Sequence, residues 1–422
     1  MKLNLNVDVH HLPRVEGHGN IIVRVKDGQL KEARWDVVET PRYFEVMLKK
    51  KHYTTAGLLT ARICGICSFG HCLASLRATE QAFGIEVPPA AAKLRLLAKH
   101  GETLQSHVLH LFFLAAPDFL DVPSVIPLLE TYPRAVVLAL RLKELGNRIC
   151  EVVGGRATHP ISLQVGGVAK MPAGLEELQT QLENALKDLT TAAELVDTFS
   201  IPDFQRDTEF VSLKGEQEYP WIGGSLISSD GIEKTEPEYK AMTNEYVEQN
   251  NTSKWCRLSR ESFAVGALAR FNNNHHLLHP QARETADALG LQAVCHNPFM
   301  NNVAQLVECV HVVHDSLRLI DELLASTGEP TMVPVTPQAG EGVGAVEVPR
   351  GILYHHYRYD DKGYIAKANC VIPTTQNNAN IHYTLQDLVQ QNSSNGMTNE
   401  QLEQLCSMLV RAYDPCVSCS VH

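Results

Sequence analysis

The sequence predicts a mainly α-helical chain with β-rich margins, an α+β class, and three observations carry that reading. Apolar residues recur at three- and four-residue spacing through the middle of the chain; strand-like alternation flanks that region; and no repeat or low-complexity segment divides it. The β-rich margins are residues 1–40 and 330–375, and the helical parts are 41–200 and 275–326. Residues 202–260 are polar and mixed, a possible insertion. A chain of 422 residues is long enough to bury a sizeable core, and a single domain over 1–422 is the economical organisation.

Within the first margin, "NIIVRVKDGQLKEARWDVV" alternates on either side of Asp27-Gly28, a hairpin signal. Helices are expected near 41–50, 68–84, 91–114, 133–153, 174–198 and 300–326, with a last one over 398–413. The stripe Leu94, Leu97, Leu104, Val108, Leu111 is expected to face the core. Proline and glycine punctuate 330–375. There "GEGVG" (340–344) mimics a phosphate loop, but it opens no helix, so no nucleotide site is expected.

Composition is ordinary for a globular protein, 44% hydrophobic and 20% charged, and the net charge of −11 argues against a nucleic-acid groove. No run of about 18 or more apolar residues is present, so no membrane span is expected. The first twenty residues place His10, His11, Arg14 and Glu16 where a signal peptide needs an apolar run, which points to a cytoplasmic chain. Eleven cysteines, an odd number that includes two C-x-x-C pairs, suggest metal or redox chemistry in a reducing compartment.

The pairs are "RICGICSFGH", with Arg62, Cys64, Cys67 and His71, and "DPCVSCSVH", with Asp414, Cys416, Cys419 and His422. Each C-x-x-C turn brings two sulfurs within reach of one metal, and two turns supply four thiolates, soft ligands for zinc, copper(I), iron–sulfur clusters or nickel. The pairs lie about 350 positions apart, whereas a structural zinc site usually has them about 15–20 apart. Spacing alone leaves zinc, a redox cluster and inert cysteines open.

With their flanks, the two motifs closely resemble the paired signatures of nickel–iron hydrogenase large subunits, R-x-C-G-x-C-x-x-x-H and D-P-C-x-x-C-x-x-H. "RVEGHG" from Arg14, "PRYFE" from Pro41, "GGRATHPISLQVGG" from Gly154, "EVPRG" from Glu347 and "VIPTTQNN" from Val371 resemble further family elements. The resemblance runs from about residue 10 to 422 and is weakest over 200–300. It implies a hydrogenase-like helical core, an oxidoreductase cleaving H2 heterolytically, and an Ni–Fe(CO)(CN)2 centre. Cys64 and Cys416 would be terminal nickel ligands, while Cys67 and Cys419 would bridge nickel and iron. Glu16 would take the proton from Cys416. Arg350 would stand over the open side of the metal pair, held by Asp414. Thr374 would donate towards an iron cyanide, and His71 would support the cyanides or a bridging cysteine unless it is simply structural. Glu45, His422 and the backbone carbonyl of Cys370 would hold a magnesium or similar ion. Family members lose a C-terminal extension after this histidine, so an end at His422 resembles the mature form.

Ser106 stands where membrane-bound family members usually carry an aspartate, and Gln376 where they read tryptophan. Both departures lean towards the soluble multimeric group, whose members serve NAD(P), a deazaflavin or heterodisulfide reductase. The chain offers no cluster motif of its own, so an iron–sulfur small subunit is implied, with flavin or NAD on further subunits. Cys72, Cys150, Cys256, Cys295, Cys309 and Cys406 fit no metal spacing and read as small buried hydrophobes. His107 and His110, one turn apart, read as packing or interface residues. A hydrogen-sensing regulatory protein would keep the same ligands. A structural zinc protein would leave Glu16, Arg350 and the terminal histidine unexplained, and a respiratory complex I-type relative would lack the cysteines.

Overall fold

A computed structural model describes residues 4–326, 328–393 and 396–422. The first margin is a three-stranded antiparallel sheet of Leu5–Val9, Gly19–Lys26 and Gln29–Val37. Asp27 and Gly28 both take positive φ, 55° and 74°, the twist a two-residue hairpin turn requires. Alternate residues of Gly19–Lys26 are buried, as one packed face demands.

The helical core comprises Ser68–Phe83, Pro89–Val108, Pro133–Gly154, Leu175–Asp197 and Asn301–Ala325. These lie within a few residues of the helices read from apolar spacing. Leu94, Leu97, Leu104, Val108 and Leu111 are buried, as their stripe predicts. Helix Pro89–Val108 runs on into a π-helical stretch, Leu109–Ala115, and packs against Pro133–Gly154 and Asn301–Ala325. The last two also flank Leu175–Asp197.

The second margin is the antiparallel sheet Gly340–Val348, Gly351–Tyr359 and Ile365–Val371. "GEGVG" opens its first strand. Its glycines lie against helix Ser68–Phe83: a Cβ at Gly340, Gly342 or Gly344 would stand 2.2, 2.2 or 2.3 Å from the carbonyl oxygens of Ala82, Ala78 and Ala74. The alternating glycines therefore let a helix backbone lie directly on a strand. Val343 and Ala345 face the other way, into a small second core with Val211, Leu213, Leu226 and Tyr239. Much of that core comes from 202–260, where Glu209–Leu213, Leu226–Ser228 and Glu233–Lys234 join Phe263–Ala264 in a four-stranded sheet. The glycine-bearing sheet is covered on both faces, which is why Gly351–Tyr359 is buried along almost its whole length.

One helix is apolar only in its second half, where Ile381, Leu385, Leu388 and Val389 are buried. Pro373–Asn392 buries Thr374, Thr375, Gln376, Asn377, Asn378 and Asn380. Tertiary contacts meet most of their amide groups: Asn377 bonds both backbone groups of Val265, Asn378 donates to Ser253 Oγ and accepts from Trp35, and Gln376 Nε2 donates to the Ile352 carbonyl, although Gln376 Oε1 is buried with no partner among the described residues. Among the described residues no helix is long and apolar enough to cross a membrane. The last long helix, Asn399–Ala412, opens on a capping box between Thr398 and Gln401.

Candidate metal centre

Two short turns from opposite ends of the chain meet in the interior. Cys64 follows a 3-10 turn, Ala61–Ile63, and Cys67 is the N-cap of helix Ser68–Phe83. Cys416 is the N-cap of the short terminal helix Val417–Ser420, and Cys419 lies within it. The sulfurs meet in crossed pairs, Cys64 Sγ with Cys416 Sγ at 3.6 Å and Cys67 Sγ with Cys419 Sγ at 3.8 Å. All four lie within 4.8 Å of one another and all are buried. Burial pushes the Cys416 and Cys419 thiols up, whereas sulfur–hydrogen donors from its three neighbours pull Cys64 well down. Four thiolates this close and this dry repel one another strongly unless a cation stands among them, so the donor set fits a soft metal.

The segment carrying Glu16 pairs with the terminal turn. Val417 N–H donates to Glu16 O at 2.8 Å, and the approach is so close that a Cβ at Gly17 would meet Ser418 N at 2.7 Å. Cys416 Sγ–H donates to Glu16 Oε2 at 3.2 Å and Ser418 N–H donates to the same oxygen at 3.0 Å. Ser418 Oγ–H donates to Oε1. Ser418, which the motif reading passed over, thus fixes which carboxylate oxygen faces the sulfur.

Arg350 sits in the two-residue turn between Val348 and Gly351. Its Nε donates to Asp414 O at 2.7 Å and its Nη2 to Asp414 Oδ1 at 2.9 Å, while Nη1 is buried with no partner among the described residues. Burial opposes its charge, but Asp414 and then the Cys416, Cys67 and Cys64 sulfurs hold it. Asp414 Oδ2 also accepts from Gln305, whose oxygen meets His110 Nδ1 at 2.5 Å.

Behind the turn lies a charged core that sequence patterning did not reveal. The fully buried Arg270 pairs with Glu308 and Glu347 and donates to the carbonyls of Val348 and Pro349 at 2.9 and 3.2 Å. His107 Nε2 and Tyr219 O–H complete the shell of Glu308, both at 2.8 Å. His107 and His110 are packing residues, as expected, although their partners are polar.

Thr374 Oγ1 accepts from Cys416 N–H at 2.9 Å, which leaves its own hydroxyl hydrogen free to donate. His71 is buried, and its Nδ1 meets His355 Nε2 at 3.2 Å, with Tyr357 O–H beyond at 2.6 Å from His355 Nδ1. Burial pushes the His71 imidazole down to about 3, so it is neutral.

Glu45, Cys370 and His422 form a second group, their ligand atoms within 4.8 Å of one another. Glu45 Oε1 accepts from Cys370 N–H at 2.8 Å and lies 3.5 Å from His422 Nε2. An antiparallel strand sends a residue's N–H and C=O out on the same side, so the Cys370 carbonyl shares the side of Glu45. Burial, with Glu45 and Glu245 nearby, pushes the Cys370 thiol up, which makes the carbonyl the better oxygen donor for a hard cation. Burial raises the Glu45 carboxyl, but His422 and the Cys370 N–H outweigh it and hold it below its usual range. Glu245, within electrostatic reach of both Glu45 and His422, is raised by burial and paired with Lys254 at 3.3 Å. Nothing in the spacing of 202–260 had marked it. Of the cysteines read as hydrophobes, Cys72, Cys150, Cys256, Cys309 and Cys406 are buried and Cys295 is half-buried.

Comparison with known proteins agrees with this geometry. The family described as nickel-dependent hydrogenase matches residues 42–135 and 219–422. The sulfhydrogenase 1 alpha subunit of Pyrococcus furiosus is 32% identical, with 100% of this chain and 98% of that relative covered. The NAD-reducing hydrogenase HoxS beta subunit of Cupriavidus necator is 29% identical, with 97% and 93% covered. A solved NAD+-reducing NiFe-hydrogenase in the H2-reduced state superposes with a TM-score of 0.90 at 27% identity over 99% of each chain. A NiFeSe-hydrogenase from Dm. baculatum, 22% identical with 100% of each chain covered and a TM-score of 0.79, shares the fold. Four converging thiols and a family match over both of the segments that supply them lead to one conclusion: the chain belongs to the nickel-dependent hydrogenases, as a catalytic large subunit.

Proposed function

We propose that the protein oxidises H2 reversibly to protons and electrons, with Cys64, Cys67, Cys416 and Cys419 holding a Ni–Fe(CO)(CN)2 centre. The observation that carries this is the 3.2 Å contact from Cys416 Sγ to Glu16 Oε2 at the rim of a buried four-sulfur cluster. Such a cluster with a carboxylate at one sulfur is equipped to move a proton, which a structural zinc site does not need. When bound, the metal pair supplies the heterolytic cleavage and the redox change. Cys416 Sγ holds the released proton and Glu16 Oε2 takes it up, the carboxylate kept in place by Ser418. Arg350, anchored on Asp414, keeps a fixed positive charge beside the sulfurs, and charge preorganised in a dry site costs no reorganisation during the reaction. Thr374 offers its hydroxyl hydrogen, and neutral His71 packs behind the N-terminal cysteines. Glu45, His422 and the Cys370 carbonyl hold a magnesium-like ion that ties down the C-terminus, with Glu245 beside it.

Electrons pass to an iron–sulfur small subunit and from there to a soluble acceptor. NAD is the first acceptor to test, since HoxS and the solved structure that superposes with a TM-score of 0.90 are both named NAD-reducing. This acceptor class goes with a cytoplasmic location. An infrared spectrum of the purified complex, with elemental analysis, tests the centre: one carbonyl band, two cyanide bands and nickel are expected. Zinc without those bands overturns the assignment.

A further inference from the structure

The terminal segment 414–422 is held by Glu16, Thr374, Thr375 and Ser253, none of which belongs to the loop carrying Cys64 and Cys67. One side chain bridges the two cysteine segments. Arg42 Nη2 donates to the carbonyl of Ile63 at 2.7 Å and to that of Ser418 at 2.5 Å. Ile63 immediately precedes Cys64, and Ser418 immediately precedes Cys419. The Arg42 main-chain N–H adds a bond to Val421 O at 2.9 Å. Apart from the sulfurs themselves, this guanidinium is the hydrogen-bonded link between the two cysteine segments among the described residues. It makes no ion pair among those residues, and its Cζ stands over the Phe44 ring, 5.3 Å from the centroid. A charged donor is thus committed to two neutral carbonyls, and such bonds are stronger than neutral ones.

We propose that Arg42 is a positioning residue: it clamps the terminal cysteine turn onto the N-terminal one and keeps the two sulfur pairs at metal-binding separation. The inference rests on the reading of the four cysteines as one metal site. Ligand constellations tolerate displacements of only about 0.5 Å, and the two turns are otherwise anchored to different parts of the fold. The Gln carboxamide also carries two N–H donors on one nitrogen, but it is uncharged and shorter, so it matches neither the reach nor the charge-assisted bonds of the guanidinium.

The test uses the purified holoenzyme complex carrying Arg42→Gln, Arg42→Lys or, as control, Arg141→Gln, which removes an exposed pair with Asp188. Metal release into a chelator is followed by elemental analysis, alongside infrared band positions and melting temperature. R42Q is expected to release metal about tenfold faster than wild type or more, from loss of two charge-assisted bonds. Its carbonyl and cyanide bands are expected to shift or broaden, R42K to be intermediate, and R141Q to match wild type. R42Q with wild-type release and unshifted bands overturns the proposal. So does R42K releasing metal as fast as R42Q with both following melting temperature alone, since that is what a merely structural residue would do. Should wild type contain zinc and show no such bands, the hydrogenase centre falls, while faster zinc release from R42Q still supports the clamp.

Discussion

Replacing Glu16 by Gln separates proton removal from everything else at the centre. The variant keeps the length of the side chain and the backbone bond from Val417 N–H to Glu16 O at 2.8 Å. It loses at most one side-chain acceptor site, worth about 1 kcal/mol, so folding and metal content are expected to stay as in wild type. What it removes is the group that accepts a proton from Cys416 Sγ across 3.2 Å. Positioned acid–base groups contribute about 10²–10⁴-fold, so H2-dependent dye reduction is expected to fall at least about 100-fold. Exchange of D2 with water, which needs the proton to leave, falls with it. Interconversion of para- and ortho-hydrogen, which needs only cleavage and recombination, is expected to survive. Glu16→Asp keeps the titrating group at shorter reach and should be intermediate. If E16Q turns over within about threefold of wild type, the proton leaves by another route and the assignment fails.

Other consequences are open to measurement. Arg350→Lys cannot reproduce the forked contact with Asp414, and kcat is expected to drop about 10²–10³-fold with nickel retained; unchanged kcat refutes the charge-placement role. Arg270→Met strands Glu308 and Glu347 in the core and is expected to cost about 3–5 kcal/mol in denaturant unfolding; a loss under 1 kcal/mol, the scale of a surface pair, shows that the ion cluster is not needed. Burial pushes His311 down to about 3 and His382 to about 4, so both fold as neutral rings. Between those values and the ordinary value near 6.5, the unfolded chain binds protons that the folded chain does not. Stability therefore falls as pH drops from about 6.5 to about 4, by up to about 1.4 kcal/mol per unit per histidine, and His382→Gln should flatten the fall measured by denaturant midpoint. An unchanged slope in that variant removes His382 from the account.

The helices were legible because a helix against a core needs an apolar residue every third or fourth position, and five long segments keep that period. Pro373–Asn392 escaped because the buried residues of its first half are Thr, Gln and Asn, with Asn377 and Asn378 paired to Val265, Ser253 and Trp35, while its apolar stripe, Ile381, Leu385, Leu388 and Val389, is confined to the second half. No pattern within the segment announces partners so far away. The same limit hid Arg270, Glu245, Ser418 and Arg42, ordinary polar residues whose importance lies in what they face. "GEGVG" could be refused as a phosphate loop from sequence, but its purpose appeared only when the backbone of helix Ser68–Phe83 was found against it.

By itself, then, the sequence determined the ligand chemistry: two C-x-x-C turns with arginine, aspartate and histidine flanks are local, and a turn of four residues sets its own sulfur spacing. Tertiary structure alone decided that the pairs cross, Cys64 with Cys416 and Cys67 with Cys419, that Ser418 fixes the Glu16 carboxylate, and that Arg42 reaches the Ser418 carbonyl. Those are contacts between segments hundreds of residues apart, and their geometry is set by packed helices and paired strands rather than by any local preference of the residues that make them.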